Sequence, residues 1–312
     1  MKTKKIYMIV ALWGAVLTGC QKEVETQTPT EEKPTKETFK LTIIASKSHD
    51  TKALDLTGND LTAYWNSSEI VSLYKHDSDE PDLLEVVPEE GALPKNATLR
   101  GEVSGLSEGD KVLLLIPTLD SYRTCNYTGQ KGTIADIEAN YDFAAATVTM
   151  AEPDGNTISA SAADFDNLQS IYRLGFREGS KDGDAINVKG FTVSSANNAL
   201  VRSTSVSWDS ADGGNFVWAD TPGSISVNID GEAQAVVYAS LRNTTKDMAV
   251  VPENDTYSFD VIDEDDILYF GTKVIPVTGY LENQGNFLSA QKIVVNKAIL
   301  SQQTSSINSG VL

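Results

Sequence analysis

The chain has 312 residues, 40% of them apolar, a formal net charge of −19 and two cysteines. The apolar share suits a packed globular protein and excludes overall disorder. The acidity argues against nucleic acid, whose binding rests on Lys and Arg neutralising phosphate, and against lying flat on anionic lipid. Two cysteines exclude a disulfide framework.

Lys2, Lys4 and Lys5 form a basic lead, followed by an apolar run over residues 6–16. That run falls short of the roughly 20 residues a membrane-spanning helix needs and has the form of a secretory signal. It ends in Leu17-Thr18-Gly19-Cys20, which resembles the bacterial lipobox, where a diacylglyceryl group joins the thiol before the peptidase cuts in front of it. Small residues there let the peptidase close on the backbone. An ordinary signal peptide with a chance cysteine is the alternative. Against it, the basic lead, the apolar run and the cleavage residues agree in order and spacing. Residues 1–19 are therefore read as a lipoprotein signal peptide and Cys20 as a lipidated N-terminus. Removing those 19 of 312 residues leaves 293, and losing three lysines takes the net charge from −19 to −22. With Cys20 lipidated, Cys125 has no partner and reads as a quiet buried thiol, not a nucleophile.

Residues 20–38 are dominated by Thr, Glu, Pro and Lys, and the first aromatic residue after Cys20 is Phe39. Such a stretch buries too little surface to offset its ordering entropy and reads as a disordered tether. From Phe39 the pattern has period two: Phe39, Leu41, Ile43 and Ala45 alternate with Lys40 and Thr42, as in a half-buried strand. Further strands are expected at 70–74, at 112–116 (a continuous apolar run stopped by Pro117) and at 147–150. Glu152-Pro153-Asp154-Gly155-Asn156 is a strong turn cluster and the best domain boundary, giving domains 39–155 and 156–300 and a tail 301–312. Beyond it, strands are expected at 171–176, 186–188, 191–193, 225–229, 236–238, 248–251, 257–262, 267–270 and 293–295. A helical turn is expected within 164–170 and little helix elsewhere. Short strands at this spacing indicate an all-β protein of antiparallel β-sandwiches.

Only His49 and His76 supply imidazoles, both in polar, turn-rich stretches, and no nucleophile elbow, zinc-protease or phosphate-loop motif is present. The 44 acidic residues offer so many carboxylate pairs that none singles out glycosidase chemistry. Asp263-Glu264-Asp265-Asp266, and Asp182 with Asp184, lack the ligand spacing of a calcium loop and read as solvated turns. Trp208 and Trp218 flank a turn at 209–214. They are a platform for a sugar ring if exposed and sandwich core if buried; strand positions favour core. No enzyme, metal or cofactor is expected.

Together these stretches resemble the fimbrillins, pilin-like lipoproteins of the Bacteroidota. The resemblance is carried by the lipobox, the alternating first strand, Thr51-Lys52-Ala53, Trp65 ahead of Ile70-Val71-Ser72-Leu73-Tyr74, strand 112–116 with Pro117, and Met248-Ala249-Val250-Val251-Pro252. Glu23 and Glu25 are similar to surface-export signals of such lipoproteins. The resemblance implies two transthyretin-like β-sandwich domains and assembly by strand donation. A protease removes an N-terminal segment holding a strand, here residues 39–45, and a C-terminal segment of another subunit fills the groove. The family's arginine-specific processing finds no arginine before Arg100, which leaves Lys47 and Lys52 as candidate processing sites. An uncut subunit would keep its lipid and serve as an anchor. Residues 301–312 are a frayed end or a donor strand, with 293–300 a more apolar donor. The expected protein is thus a structural or anchor subunit of a fimbria at the outer membrane and cell surface, acting in adhesion. Its expected partners are other fimbrial subunits, a host or bacterial surface ligand, and the membrane through lipid alone. A monomeric glycan-binding surface lipoprotein is the alternative.

Overall fold

The computed structural model describes residues 37–298 apart from 48–53, 59, 77, 79, 120–122, 210–213, 246–250 and 277–286. The described chain is all-β with one short helix. Its first part runs β1 (Thr38–Lys47), β2 (Leu54–Thr57), β3 (Asp60–Ala63), β4 (Ile70–Tyr74), β5 (Asp82–Pro88), β6 (Asn96–Ser104), β7 (Lys111–Ile116), β8 (Thr124–Asn126), α1 (Ile134–Asn140), β9 (Ala144–Thr149), β10 (Thr157–Ser159) and β11 (Ala163–Asn167). There follow β12 (Ser170–Glu178), β13 (Val188–Ser195), β14 (Leu200–Asp209), β15 (Asn215–Pro222), β16 (Ile225–Asn228), β17 (Val237–Asn243), β18 (Asn254–Asp263), β19 (Leu268–Pro276) and β20 (Phe287–Lys297).

The first sheet has the order β10-β1-β11-β9-β7-β4-β5-β6, and β6 pairs back onto β1, so the sheet closes on itself. Alternation explains its lining. Val112, Leu114 and Ile116 of β7 point into the enclosed core, while Leu113 and Leu115 point out and meet Tyr74 and Val206. The continuous apolar run of β7 is therefore buried on both faces, between the first core and the β14–β15 hairpin. The second sheet runs β15-β14-β17-β12-β20-β19-β18-β13-β16, with β8 added beside β14. Phe176, Phe191 and Phe259 pack ring against ring in its core, centroids 5.3–6.2 Å apart. The small β2–β3 hairpin packs through Leu54, Leu61 and Ala63 against Ile137 of α1 and Ile171 of β12.

The sheets interleave, which corrects the boundary expected at residue 155. The turn at 152–156 joins β9 to β10 inside the first sheet, where Asp154 N–H donates to Thr157 O at 2.9 Å. After β9, β10 and β11 the chain leaves the first sheet for good between Asn167 and Ser170. Conversely β8 lies on β14, and Cys125, Tyr127 and Phe143 belong to the second core. A Pro/Asp/Gly cluster marks a chain reversal, and reversals occur within a sheet as readily as between sheets. The pairing is also not wholly antiparallel: β1 runs parallel to β10 and β11, and β12 parallel to β20. The helical turn expected within 164–170 is strand instead, since Ala163 and Phe165 face inward while Asp164 and Asp166 face out. The helix lies at α1, capped by Thr133, whose hydroxyl accepts from Asp136 N–H at 3.1 Å. Of the strand expected at 248–251, residues 248–250 lie outside the described residues.

Where the chain crosses between sheets, Arg242 of β17 donates to Leu168 O at 2.6 Å and grips Asp220 of β15 through Nε at 3.0 Å and Nη2 at 3.4 Å. Thr204 adds a hydroxyl donor to Asp220 at 2.7 Å. Burial pushes the Asp220 carboxyl up, but the Arg242 charge and these hydrogen bonds outweigh it and hold the group below its usual range. A depressed folded value contributes stability above the unfolded value, near pH 4, that is lost as pH falls through the folded one. Asp220→Asn is therefore expected to destabilise by about 2–3 kcal/mol at pH 7, because it strips a largely buried guanidinium of its counter-charge. Thermal melts of wild type and variant should draw together as the pH falls from about 4 through the depressed folded value of Asp220.

Candidate strand-exchange site

β1 is held on both edges. Along one it pairs antiparallel with β6 from Thr38 to Ser46. Along the other, Lys40–Thr42 pair with β10 and Ala45–Lys47 with β11, both parallel. Phe39, Leu41, Ile43 and Ala45 line the first core at 0–6% exposure, as the alternation requires. The groove closed by β1 thus has a backbone edge on each side and an apolar floor.

The end of β1 is fastened by a charged side chain. Lys47 Nζ donates to Tyr64 O at 2.6 Å, meets both carboxylate oxygens of Glu69 at 3.3 Å and lies 4.1 Å from the centroid of the Trp65 ring. The Trp65 ring in turn makes an edge contact with Phe165 of β11, centroids 5.4 Å apart. Glu69 also accepts from Asn66 N–H at 2.9 Å, so the short loop before β4 presents its carboxylate to the strand end. Ser46 adds a hydroxyl bond to Asp164, and Lys47 N–H donates to Lys95 O at 3.0 Å. The Lys47 side chain has no exposure and that of Glu69 has 6%. This corrects the reading of Lys47 as a candidate processing site in an open loop: it is the last residue of a strand and its ammonium is enclosed. Glu69 gave no sequence signal, because only the fold brings it to Lys47. The other candidate site, Lys52, lies outside the described residues, as do Cys20, His49 and 301–312.

The apolar donor candidate at 293–300 is also corrected. Ile293 and Val295 are buried in the second core, and β20 sits between β12 and β19. Withdrawing it would open its own sheet. Cys125 is buried in the same core, and His76 is exposed with its ring 4.9 Å from that of Trp208. Trp208 and Trp218 are half-buried at the junction of the two sheets, with Trp208 edge-on to Phe216 at 5.0 Å. Asp263 closes the acidic turn on itself by accepting from Asp265 N–H at 2.9 Å and Ile267 N–H at 2.8 Å, and Asp266 pairs with Lys189 at 2.8 Å. Among the described residues no three His, Cys, Asp or Glu side chains gather into a metal-sized group.

No family model and no curated protein matches the chain. Similar solved structures include a candidate cell adhesion protein from Bacteroides uniformis, 11% identical at a TM-score of 0.40, covering 83% of this chain and 96% of that one. A fimbrial protein from Bacteroides ovatus is 8% identical at a TM-score of 0.33, and the match spans 84% of this chain but 50% of that one. The shaft pilin spaA from Lactobacillus rhamnosus GG is 10% identical at a TM-score of 0.30, covering 85% of this chain and 99% of that one.

Proposed function

We propose that this chain is a lipid-anchored, fimbrillin-like surface subunit that acts in adhesion and accepts a strand of another subunit in the seat of β1. The observation that carries the reading is that seat: one N-terminal strand, joined to the rest through residues 48–53, supplies both a pair of backbone edges and the apolar filling of the first core. A groove emptied of β1 is a template for strand addition. Because β20 is committed to its own core, the donor is assigned to residues 301–312 of the incoming subunit. Uncut, the chain keeps Cys20 and serves as an anchor. Two experiments test the reading. Cys20→Ala should move the protein from the membrane fraction to the soluble one, and unchanged membrane fractionation removes the anchor. Loss of β1 should convert monomer to oligomer, and a stripped protein that stays monomeric removes the assembly.

A further inference from the structure

The outer face of the second sheet carries a feature that assembly does not use. On β12, Leu174 and Phe176 point into the core, leaving Arg173, Gly175 and Arg177 on the opposite face. Gly175 opens a gap between the two arginines, since a Cβ there would meet only Ala235 O, at 3.9 Å. The gap is a groove of about 130 Å³ that Lys292 also lines, from the β20 position registered with Gly175. Three cations thus converge in a chain of net charge −19. Arg177 and Lys292 have no ion-pair partner among the described residues, and Arg177 Nε is shut off from solvent without a hydrogen-bond acceptor among them. The adjacent carboxylate, Glu178, is turned to Lys297 at 3.9 Å. A buried guanidinium N–H without an acceptor is costly, and an oxyanion that offers two oxygens side by side is the group that guanidinium forks match.

The same face indicates what carries the oxyanion. The outward residues of β20 continue from Lys292 to Val294 and Asn296, and the latter two border a wider, shallow groove over β18 and β19. Phe270 stands in it, 46% exposed, with Ser258, Asp260, Thr272 and Asn296 around the ring. An exposed aromatic ring set among hydroxyl, amide and carboxylate groups suits the apolar face and hydroxyl rim of a sugar. An extended, uniformly charged polyanion such as nucleic acid is repelled by the protein's net charge, whereas one acidic group on a sugar ring is not.

We infer that this face binds an acidic glycan, its carboxylate or sulfate held over Gly175 by Arg173, Arg177 and Lys292 and a neighbouring ring placed against Phe270. The site is complete with β1 seated, so it stands apart from strand exchange and is tested on the uncut monomer. Calorimetric titration at 150 mM NaCl would use 3′-sialyllactose, with its single carboxylate, as the carboxylate probe and 3′-sulfolactose, with its single sulfate, as the sulfate probe. Maltohexaose and hexaglutamate serve as the neutral and peptide controls. At least one acidic sugar should bind, at least tenfold more tightly than maltohexaose, and the tighter of the two identifies the oxyanion. Arg177→Gln with Lys292→Gln should weaken that binding at least tenfold. So should Gly175→Leu, which fills the groove and keeps every charge, with thermal melting confirming that both variants fold. Binding that survives Gly175→Leu is diffuse attraction and overturns the site, as does the absence of binding to either acidic sugar. Hexaglutamate binding more tightly than both sugars overturns it in favour of a protein partner.

Discussion

Cutting the chain at Lys52 and stripping the freed N-terminal segment with mild denaturant is expected to turn a monomer into a ladder of oligomers on a native gel. The nick alone should change little. β1 keeps nine register pairs with β6 and its flanking pairs with β10 and β11. Burial of Phe39, Leu41 and Ile43 contributes about 1.5–3 kcal/mol each, so the strand stays seated until displaced. Once it leaves, the first sheet has open edges at β6 and at β10–β11, and its apolar floor is exposed. Such an edge pairs with whatever strand is available, and in the assembly proposed above that strand is residues 301–312 of a neighbour. Excess synthetic peptide of residues 37–47 should hold the stripped protein monomeric. Deleting residues 301–312 should suppress the ladder without lowering the melting temperature of the uncut chain. Stripped protein that stays folded and monomeric at high concentration would defeat the assembly reading. N-terminal sequencing after digestion by a lysine-specific protease should find new ends at residue 53 rather than 48, because the Lys47 side chain is enclosed.

What was legible in the sequence followed from periodicity, and what was not followed from pairing. β1 and β7 read correctly because a two-residue period, or an unbroken apolar run, is enforced by the faces a strand buries. β6 was missed because Ala97 and Gly101 interrupt the apolar alternation that Leu99 and Val103 carry, leaving too few large inward positions to stand out. Gly101 is dictated by contact, since a Cβ there would sit 2.7 Å from Leu84 Cδ2 and 3.0 Å from Leu83 O. β14 was missed because Ser203, Thr204, Ser205 and Ser207 dilute its alternation, although Thr204 is buried through its bond to Asp220. α1 spans under two turns, too short for a helical period to register.

The strand-exchange site was half legible for the same reason. Alternation identified the residues of β1 that fill the groove, but nothing local shows that both its edges are paired. The partners β6, β10 and β11 lie at sequence separations that only closure of the sheet brings together. Lys47 misled because a lysine at a strand end, followed by a polar stretch, has every sign of an exposed residue. Its burial is set by Glu69, Tyr64 and Trp65, three residues of one loop whose approach to the strand end is a tertiary fact.

That cluster leads to the second large effect. Lys47→Met is expected to leave the Glu69 carboxylate enclosed without its cation, a loss of about 3–5 kcal/mol for breaking one side of a buried pair. The melting temperature should fall by about 10 °C, given roughly 2–4 °C per kcal/mol for a protein of this size. Replacing both members, Lys47→Met with Glu69→Leu, leaves no orphaned charge and should recover most of that fall. The location of the loss matters more than its size. Lys47 fastens the exit end of β1, so the weakening should appear as faster release of the strand. In nicked protein, exchange of a labelled 37–47 peptide for the resident strand should accelerate about a hundredfold or more in Lys47→Met, since each 1.36 kcal/mol is a factor of ten. The double variant should exchange at an intermediate rate, because β1 still loses the bond to Tyr64 O and the stacking on Trp65. Equal exchange rates in all three proteins, with the melting temperatures still different, would mean that the pair stabilises the sheet without gating the strand. An exchange rate that follows the Lys47–Glu69 pair makes this contact the catch that keeps the subunit closed until its N-terminal segment is cut.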